Sequence, residues 1–415
     1  MKKIVSLFLA LVLLFAFTTV FSSCNEEDES NTPPAVKLLV GAELLGTNPS
    51  YVKWEGRYDF TEAEGSSPAK LNLYHTASGF TVTFVGTALY VEFEATVAGN
   101  GTSHYPYYNV AVDGEVLPTV QPERTFYLTG GQQRVAVVEG LAYGEHTVTC
   151  LKMSEPYDAL TSILLLETDG ALVARDTAYD AGNFKFMVVC ASGGSGHGAL
   201  GYSDDGKGSM GRNTANSSSL HAFNYLTARM FGADVQFVAN SGWGVSFSQN
   251  QSIYDVLDYS GITTTNNVAG AKQTAKWDHQ SWVPDVILFN IGGNDTTANG
   301  FDQATYQKEV VEMVEKLHAL YPNAYMIWTH TNSNAGKYAV SAMNDKGILK
   351  EDYMKVVIIP KVGADGTVGA NSHNSMATHI ATAEILAVAL ETNWGFTRIR
   401  QNVTLEEYDS VLKKF

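Results

Sequence analysis

The feature that most constrains the fold is an apolar run that ends abruptly in a glycine-rich loop. Five apolar residues in a row occupy positions 186–190, and the loop over residues 191–198 begins Ala191-Ser192 and contains four glycines. Such a run predicts a buried parallel strand that enters a tight turn. In open α/β sheets the chemistry lies just beyond the carboxyl ends of these strands. We therefore expect a functional site at this loop.

Strand-like apolar runs alternate with helix-period segments through the rest of this half of the chain. The predicted strands are 185–190, 235–240, 286–291, 325–329 and 356–360. The predicted helices are 218–231, 305–321 and 375–394. Alternation of this kind predicts a parallel sheet covered by helices on both faces. The fold class expected for residues 184–415 is therefore α/β.

The earlier part of the chain, residues 37–170, has a period of two instead. Apolar and polar residues alternate over 80–85, 89–94 and 133–138, with turn residues between the runs. This pattern predicts an all-β antiparallel sandwich, followed by a linker at 171–183. Some aromatic residues here are open to two interpretations, core packing or a surface on which sugars stack. They are Trp54, Tyr105, Tyr107 and Tyr108.

The first residues have the layout of an export signal. Two lysines precede an apolar run over 4–20, and small residues lead to Cys24. This layout predicts a secretory signal, and its end resembles a bacterial lipobox, so residues 1–24 are predicted to be a lipoprotein signal peptide with a lipidated Cys24. The alternative is a plain signal peptide with an incidental cysteine.

Residues 25–36 are predicted to be a solvated tether, because they are acidic and contain prolines. The acidic tract at 25–29 resembles the one that sends lipoproteins of the Bacteroides group to the cell surface. The expected location is therefore the outer membrane, reached through the lipid anchor, with the protein exposed at the cell surface.

Charge and cysteine content exclude some functions. The chain has 27 basic and 43 acidic residues, which gives a net charge of −16. This charge disfavours nucleic acid and anionic membrane surfaces as partners, whereas a neutral polysaccharide is compatible with it. Three cysteines are too few for a disulfide framework. No His or Cys spacing resembles a zinc site, and we expect neither a metal nor a cofactor.

Two nucleotide-binding motifs are matched only formally. Residues 196–201 match a dinucleotide fingerprint, but the next predicted strand ends at Asn240 and not at an acidic residue. Residues 201–208 approximate a phosphate loop, but Gly208 stands where Ser or Thr would ligate magnesium. The adjacent Asp204 and Asp205 would also repel phosphates. Both interpretations are rejected.

Polar residues at successive strand ends indicate a serine hydrolase instead. Ser192 follows the first strand, a glycine turn at 240–244 follows the second, and Asn294 lies on the glycine turn after the third. His373 stands at the entry to the last predicted helix. Each residue alone is ordinary, because a loop Ser is usually a cap and a His is usually structural. Together they supply a nucleophile, a base and donors for an oxyanion.

These residues resemble the motif blocks of SGNH (GDSL-type) hydrolases. The blocks correspond here to residues 190–198, 241–244, 292–295 and 373–379. The stretches 140–148 and 152–155 resemble the end-strand segment of carbohydrate esterase family 2, and the whole exported part resembles that family. The resemblance implies a β-jelly-roll joined to an SGNH domain, and an enzyme that removes acetyl groups from polysaccharides.

The resemblance also implies roles for individual residues. Ser192 is expected to attack the acetyl carbonyl, and His373 to take its proton and return it to the sugar oxygen. The oxyanion is expected to bind the Ser192 N–H, the N–H of Gly242 or Gly244, and the Asn294 side chain.

Two questions about these loops are which serine is the nucleophile and what role Trp243 has. Ser192 is favoured over Ser195 as the nucleophile, because it directly follows the predicted strand and its spacing to the Gly196-x-Gly198 pair matches the family. Trp243 is interpreted as a substrate contact that shapes the sugar side of the cleft, with core packing as the alternative.

Two departures from the family pattern bear on the function. Cys190-Ala191 replaces Gly-Asp before the nucleophile, and the carboxylate expected shortly before His373 is absent, since Ala370 and Asn371 stand there. Asp365 is the nearest acid upstream. Some family members work with a Ser–His dyad that a backbone carbonyl orients.

The predicted function is therefore a secreted serine esterase that removes O-acetyl groups from plant-type polysaccharide or oligosaccharide, such as xylan or mannan. The alternative is a catalytically inactive surface lipoprotein that binds glycans on an SGNH scaffold.

Overall fold

The computed structural model describes residues 36–39, 50–99, 101–176, 183–201, 209–246, 252–262 and 274–412. The predicted signal peptide, Cys24 and nearly all of the predicted tether lie outside these residues. Residues 35–415 form one compact unit. No helix within the described ranges is both long enough and apolar enough to cross a membrane.

The first half of the unit is built from β-strands. They are β1 (Val36–Leu39), β2 (Val52–Glu55), β3 (Tyr58–Thr61), β4 (Lys70–Leu73), β5 (Gly79–Gly86), β6 (Leu89–Val97), β7 (Tyr107–Val112), β8 (Thr125–Tyr127), β9 (Gly131–Val138), β10 (Gly144–Lys152), β11 (Ala159–Thr168) and β12 (Ala171–Val173). One sheet has the order β3-β4-β11-β6-β9, with β1 also on β11. The other has the order β12-β5-β10-β7-β8, with β2 also on β5.

The two sheets enclose one hydrophobic core. Alternate residues of β5 point into it, as do Phe93 of β6 and Tyr108 of β7, which are fully buried. All strand pairs in these two sheets are antiparallel, which confirms the antiparallel prediction. The jelly-roll connection stays a prediction. β12 falls within residues 171–183, predicted as a linker, and instead extends the second sheet along β5.

The second half contains a parallel sheet with helices. Its strands are β13 (Lys185–Cys190), β14 (Asp234–Ala239), β15 (Val286–Asn290), β16 (Tyr325–His330) and β17 (Met354–Ile358). Its helices are α1 (Phe223–Met230), α2 (Ile253–Val256), α3 (Gln303–Leu320), α4 (Asn334–Lys346), α5 (Met376–Trp394) and α6 (Asp409–Leu412). The sheet order is β14-β13-β15-β16-β17, and every pair is parallel. The predicted α/β class is confirmed.

The position of β13 between two hydrophobic cores explains why its sequence is a continuous apolar run. Phe186, Val188 and Cys190 face one core, which they share with α1 and α5. Met187 and Val189 face the opposite core, shared with α3 and α4. A strand covered on both faces has no solvent side and therefore shows no alternation.

Helix α4 was not predicted from the sequence. Its buried face is made mostly of small residues, including Ala335, Ala339 and Ala342, so it lacks the large aliphatic side chains that mark a buried helix face in a sequence. The helix is nevertheless well delimited, because Ser333 caps its first turn through the Gly336 N–H and Gly347 ends it in the left-handed conformation.

A buried cation joins the sandwich to the parallel-sheet half. Arg57, between β2 and β3, is fully buried. Its Nε donates to Gln236 Oε1 at 3.0 Å, and its Nη1 donates to the carbonyls of Leu257 at 2.6 Å and Tyr259 at 2.8 Å. All three acceptors belong to the other half. Because hydrogen bonds offset the cost of burying a guanidinium, these contacts fix how the two halves dock, although Nη2 has no partner among the described residues.

We expect Arg57→Ala to lower the free energy of unfolding by at least about 2 kcal/mol, because it leaves buried acceptors without donors. Urea unfolding of the full chain measures this. Arg134→Ala is the matched control: that side chain is 50% exposed and pairs with Glu167 at 3.2 Å, so its loss should cost less than about 1 kcal/mol. Equal costs for the two variants would contradict this account of the docking.

Candidate active site

The loop after β13 presents one serine to the cleft and buries the other. The Ala191 N–H donates to the carbonyl of Asn290 at 3.1 Å, which ties the loop to the end of β15. The N–H groups of Gly194 and Ser195 both donate to the Ala191 carbonyl at 3.1 Å, which closes a tight turn. Ser192 is half-buried, whereas Ser195 is 1% exposed and its hydroxyl donates to the Ser192 carbonyl at 3.3 Å. Ser192 is therefore the accessible hydroxyl.

Ser192 and His373 are in hydrogen-bond contact. The Ser192 hydroxyl donates to His373 Nε2 at 2.9 Å, and His373 Nδ1–H donates to the carbonyl of Asn371 at 2.7 Å. Asn371 and Ser372 adopt the left-handed conformation, with φ of 52° and 57°. This bend turns the Asn371 carbonyl toward the imidazole. The geometry is a serine beside a histidine that is oriented by a backbone carbonyl.

Asp365, the nearest acid upstream, is engaged elsewhere. Its Oδ1 accepts hydrogen bonds from the Thr367 N–H at 2.9 Å and the Thr367 hydroxyl at 2.8 Å, and its Oδ2 accepts one from the Thr378 hydroxyl at 3.2 Å. Within the described residues no carboxylate accepts a hydrogen bond from His373.

The histidine loop is held against the serine loop by a close backbone approach. The Ala370 N–H donates to the Gly198 carbonyl at 3.0 Å. Gly198 has φ of 68°, and a Cβ at this position would lie 2.3 Å from the Ala370 oxygen. Only glycine satisfies both conditions. Beyond His373, Ser375 caps α5 by accepting a hydrogen bond from the Thr378 N–H at 3.2 Å.

The candidate oxyanion donors differ in their exposure. Gly242 is half-buried with φ of 81°, whereas Gly244 is buried, and a Cβ on it would lie 2.7 Å from the Asp295 carboxyl group. Within the described residues the N–H groups of Ser192 and Gly242 have no acceptor. Asn294 is half-buried, and one Nδ2–H donates to the Trp243 carbonyl at 2.8 Å, which leaves its second N–H for a ligand. Ser192, Gly242 and Asn294 are thus half-buried residues that each keep an N–H available for a ligand.

Asp295 has a structural role that the sequence did not reveal. Its carboxylate is fully buried and accepts hydrogen bonds from the N–H groups of Val245 and Ser246, each at 2.9 Å. These bonds hold the glycine turn after β14 against the turn after β15. The residue next to Asn294 therefore fixes the loop that carries Gly242.

The interpretation of Trp243 as a sugar contact is wrong. The side chain is fully buried and packs edge-on against His75 of the sandwich, with ring centroids 6.3 Å apart. Its ring helps to fill the core beside α3 and is not exposed to the cleft. Among the aromatic residues of the sandwich, Tyr108 is fully buried and Trp54 packs against the same core, which supports core packing for both.

Burial sets the electrostatics of the site. Burial and, to a lesser extent, the neighbouring His197 lower the pKa of His373 to about 4, although the Asn371 carbonyl and the charge of Glu155 act in the opposite direction. His373 is therefore neutral near pH 7 and able to accept a proton at Nε2. Cys190 lies under the loop, fully buried, and burial raises its thiol pKa well above the usual value, so the thiol is unreactive.

A buried polar cluster behind His373 was not recognised as functional from the sequence. Its members are Glu155 and Asp158 from the sandwich, His197 from the serine loop, Arg212 and Ser241. The ring of His197 lies 4.4 Å from that of His373. Two sequence features could have indicated this cluster. Glu155 ends the segment 152–155 that resembles the carbohydrate esterase family, and His197 lies between the two glycines Gly196 and Gly198 of the serine loop.

Comparison with known protein families gives two matches. The model described as GDSL-like Lipase/Acylhydrolase matches residues 182–405, more than half of the chain. The model described as Carbohydrate esterase 2 N-terminal matches residues 54–175, which contain most of the sandwich.

Individual relatives are distant. Cellulase/esterase CelE of Acetivibrio thermocellus is 24% identical over 369 residues, which are 83% of this chain and 40% of CelE. An acetylxylan esterase / glucomannan deacetylase of Cellvibrio japonicus is 23% identical over 320 residues, 77% of this chain and 79% of that protein. The chain thus spans less than half the length of the first relative.

Among solved structures, a family two carbohydrate esterase from Clostridium thermocellum in complex with cellohexaose superimposes with a TM-score of 0.67. It is 22% identical, and the match covers 83% of this chain and 100% of that one. At this level of identity the likeness establishes a shared fold.

We expect the imidazole of His373 to titrate near pH 4, well below the value of about 6.5 for a free histidine. NMR of histidine-labelled protein measures this, with the signal assigned by its loss in His373→Gln. His146 is the internal comparison, because the Ala142 carbonyl and Asp113 raise its pKa, so it should titrate above 6.5. A His373 that titrates at or above His146 would contradict the electrostatics described here.

Proposed function

Because the chain belongs to the GDSL-like lipase/acylhydrolase family and carries a carbohydrate esterase 2 N-terminal domain, we propose that it is a serine esterase that removes acetyl groups from a polysaccharide. The observation that carries this proposal is the 2.9 Å contact between Ser192 Oγ and His373 Nε2. That contact also argues against the inactive glycan-binding alternative, because the replaced residues Ala191 and Asn371 leave the serine and the histidine in reacting geometry.

In the first half of the reaction, Ser192 Oγ attacks the acetyl carbonyl carbon and its proton moves to His373 Nε2. The Asn371 carbonyl accepts the Nδ1–H of the resulting imidazolium. Negative charge develops on the acetyl oxygen, where the N–H groups of Ser192, Gly242 and Asn294 stabilise it. One such donor is typically worth about a hundred- to a thousandfold in turnover.

Collapse of the intermediate breaks the bond between the acetyl carbon and the sugar oxygen. His373 returns its proton to that oxygen, and the deacetylated sugar leaves. In the second half, His373 takes a proton from a water molecule, and the resulting oxygen attacks the acetyl group on Ser192. Acetate is released, and the proton returns to Ser192 Oγ. The scheme needs no metal or cofactor, because the chain itself supplies the base and the oxyanion donors.

The proposed substrate is an acetylated plant-type polysaccharide or oligosaccharide of the xylan or mannan class. Support comes from the relatives: one is named acetylxylan esterase / glucomannan deacetylase, and a structural neighbour was solved with cellohexaose. The net charge of −16 is compatible with a neutral glycan and unfavourable for polyanions.

We expect Ser192→Ala to lower kcat for release of acetate from acetylated xylan by about 10⁴-fold or more, because it removes the nucleophile. Ser195→Ala is the matched control and should retain most of the activity, since Ser195 is buried and donates only to a backbone carbonyl. Acetate release by the purified protein measures both. An active Ser192→Ala protein would overturn the proposal.

We also propose that the protein is exported, anchored to the outer membrane through a lipid on Cys24, and exposed at the cell surface. The support is the charged start, the apolar run and the small residues before Cys24. Expressed in a Bacteroides host, the protein should incorporate labelled palmitate and partition into detergent. Labelling that persists in Cys24→Ala would refute the anchor.

A further inference from the structure

The orientation of His373 depends on a backbone conformation that costs free energy. Asn371 and Ser372 are consecutive non-glycine residues with positive φ. Such conformations persist only where the surroundings impose them. Because the Asn371 carbonyl takes the place of a carboxylate in accepting the Nδ1–H of His373, something must hold Asn371 in position.

The backbone N–H of Asn371 donates to the Met210 carbonyl at 2.9 Å, and the side chain of Asn371 contacts His197. Asn371 Nδ2 lies 3.4 Å from His197 Nε2, a long contact in which the amide donates. The His197 ring is 6% exposed and lies 4.4 Å from the His373 ring at an interplanar angle of 42°. The backbone N–H of His197 also donates to the Ser192 carbonyl at 3.2 Å. His197 therefore contacts both the serine loop and the histidine loop.

The opposite side of His197 is linked to a buried carboxylate. If Nε2 accepts from Asn371, Nδ1 of the neutral ring carries the proton and donates to Ser241 Oγ at 2.9 Å. The Ser241 hydroxyl in turn donates to Glu155 Oε1 at 2.8 Å. His197 Nδ1 also lies 3.4 Å from Glu155 Oε1, so the shorter bonds through Ser241 form the main link of a continuous chain from Asn371 to Glu155.

Glu155 is supplied by the sandwich, just beyond β10. It is 2% exposed, and its Oε1 lies 4.0 Å from Arg212 Nη2. The guanidinium of Arg212 makes two short hydrogen bonds to Asp158. Within the described residues Glu155 Oε2 has no hydrogen-bond partner. A carboxyl group buried with one oxygen unpaired is costly, which is unusual in a residue that serves packing alone.

We propose that Glu155, Ser241 and His197 form a positioning relay that fixes Asn371, so that the sandwich helps to orient His373 in place of the missing carboxylate. The inference rests on the proposed function, because it assigns these residues to the alignment of its base. They are positioning residues, since they act through Asn371 and, within the described residues, their side chains form no hydrogen bond to Ser192 Oγ or His373 Nε2.

The first test breaks the relay at two points. Ser241→Ala interrupts the link to Glu155, and His197→Phe removes both ring nitrogens. Each should lower kcat by about tenfold to a hundredfold with little change in KM, because the base is misplaced while the sugar contacts remain. His197→Gln, whose amide both donates and accepts, should recover part of the activity. Asp365→Asn is the control: this exposed carboxylate bonds only to threonines and the loop backbone, so kcat should be unchanged.

The second test uses the titration of His373, because the hydrogen bond to the Asn371 carbonyl raises the pKa of this residue. The charged or titratable groups that act on His373 are His197, Glu155 and Arg212. His197 lowers the pKa of His373 and Glu155 raises it. Ser241→Ala leaves all three groups in place, so if the relay holds Asn371, the weakened carbonyl contact should move the acid limb of kcat/KM and the NMR titration of His373 to lower pH in this variant.

These outcomes separate failure of the relay from failure of the proposed function. Wild-type kcat in both Ser241→Ala and His197→Phe, or an equal loss in Asp365→Asn, would overturn the relay. If the wild-type protein and Ser192→Ala released acetate equally slowly, the proposed function would fail. The NMR titration of His373 in folded Ser241→Ala, checked by thermal unfolding, would still decide the relay, because it needs no turnover; an unchanged titration in this variant refutes it.

Discussion

The site depends on the hydrogen bond from His373 Nδ1–H to the Asn371 carbonyl. A histidine base needs its Nε2 lone pair directed at the serine, and this direction is set by whatever holds Nδ1. A carbonyl in this role carries only a partial negative charge, so it stabilises the imidazolium less than a carboxylate does. It is also part of the backbone, so its position depends on the conformation of a whole loop. The contacts of that loop therefore become part of the catalytic apparatus.

Most of those contacts come from other parts of the chain. Gly198 allows the histidine loop to approach the serine loop, and the Asp295 carboxylate holds the glycine turn that carries Gly242 by hydrogen bonds to its backbone. The sandwich contributes as well, because Arg57 fixes the docking of the two halves and Glu155 reaches the cluster behind His373. The sandwich is thus packed into the active-site architecture.

The sequence predicted the parallel sheet because β13 to β17 are short apolar runs separated by helical segments, and it predicted the loops because Ser192, Asn294 and His373 stand at strand ends or a helix entry. It missed α4, whose buried face is built from alanines. It misassigned Trp243, since a tryptophan between two glycines gives no indication of which side the ring takes. The relay was also hidden, because Glu155 and His197 are 42 residues apart in sequence and meet only when the two halves dock.

The most direct test of the central claim is covalent trapping of the nucleophile. The intact protein is treated with a phosphonate ester that reacts with activated serines, and the modified peptide is identified by mass spectrometry. The account predicts a single adduct on Ser192 in the wild-type protein and its loss in His373→Gln, because the hydroxyl is activated only through the histidine. An adduct on Ser195, or undiminished labelling of Ser192 without His373, would contradict it.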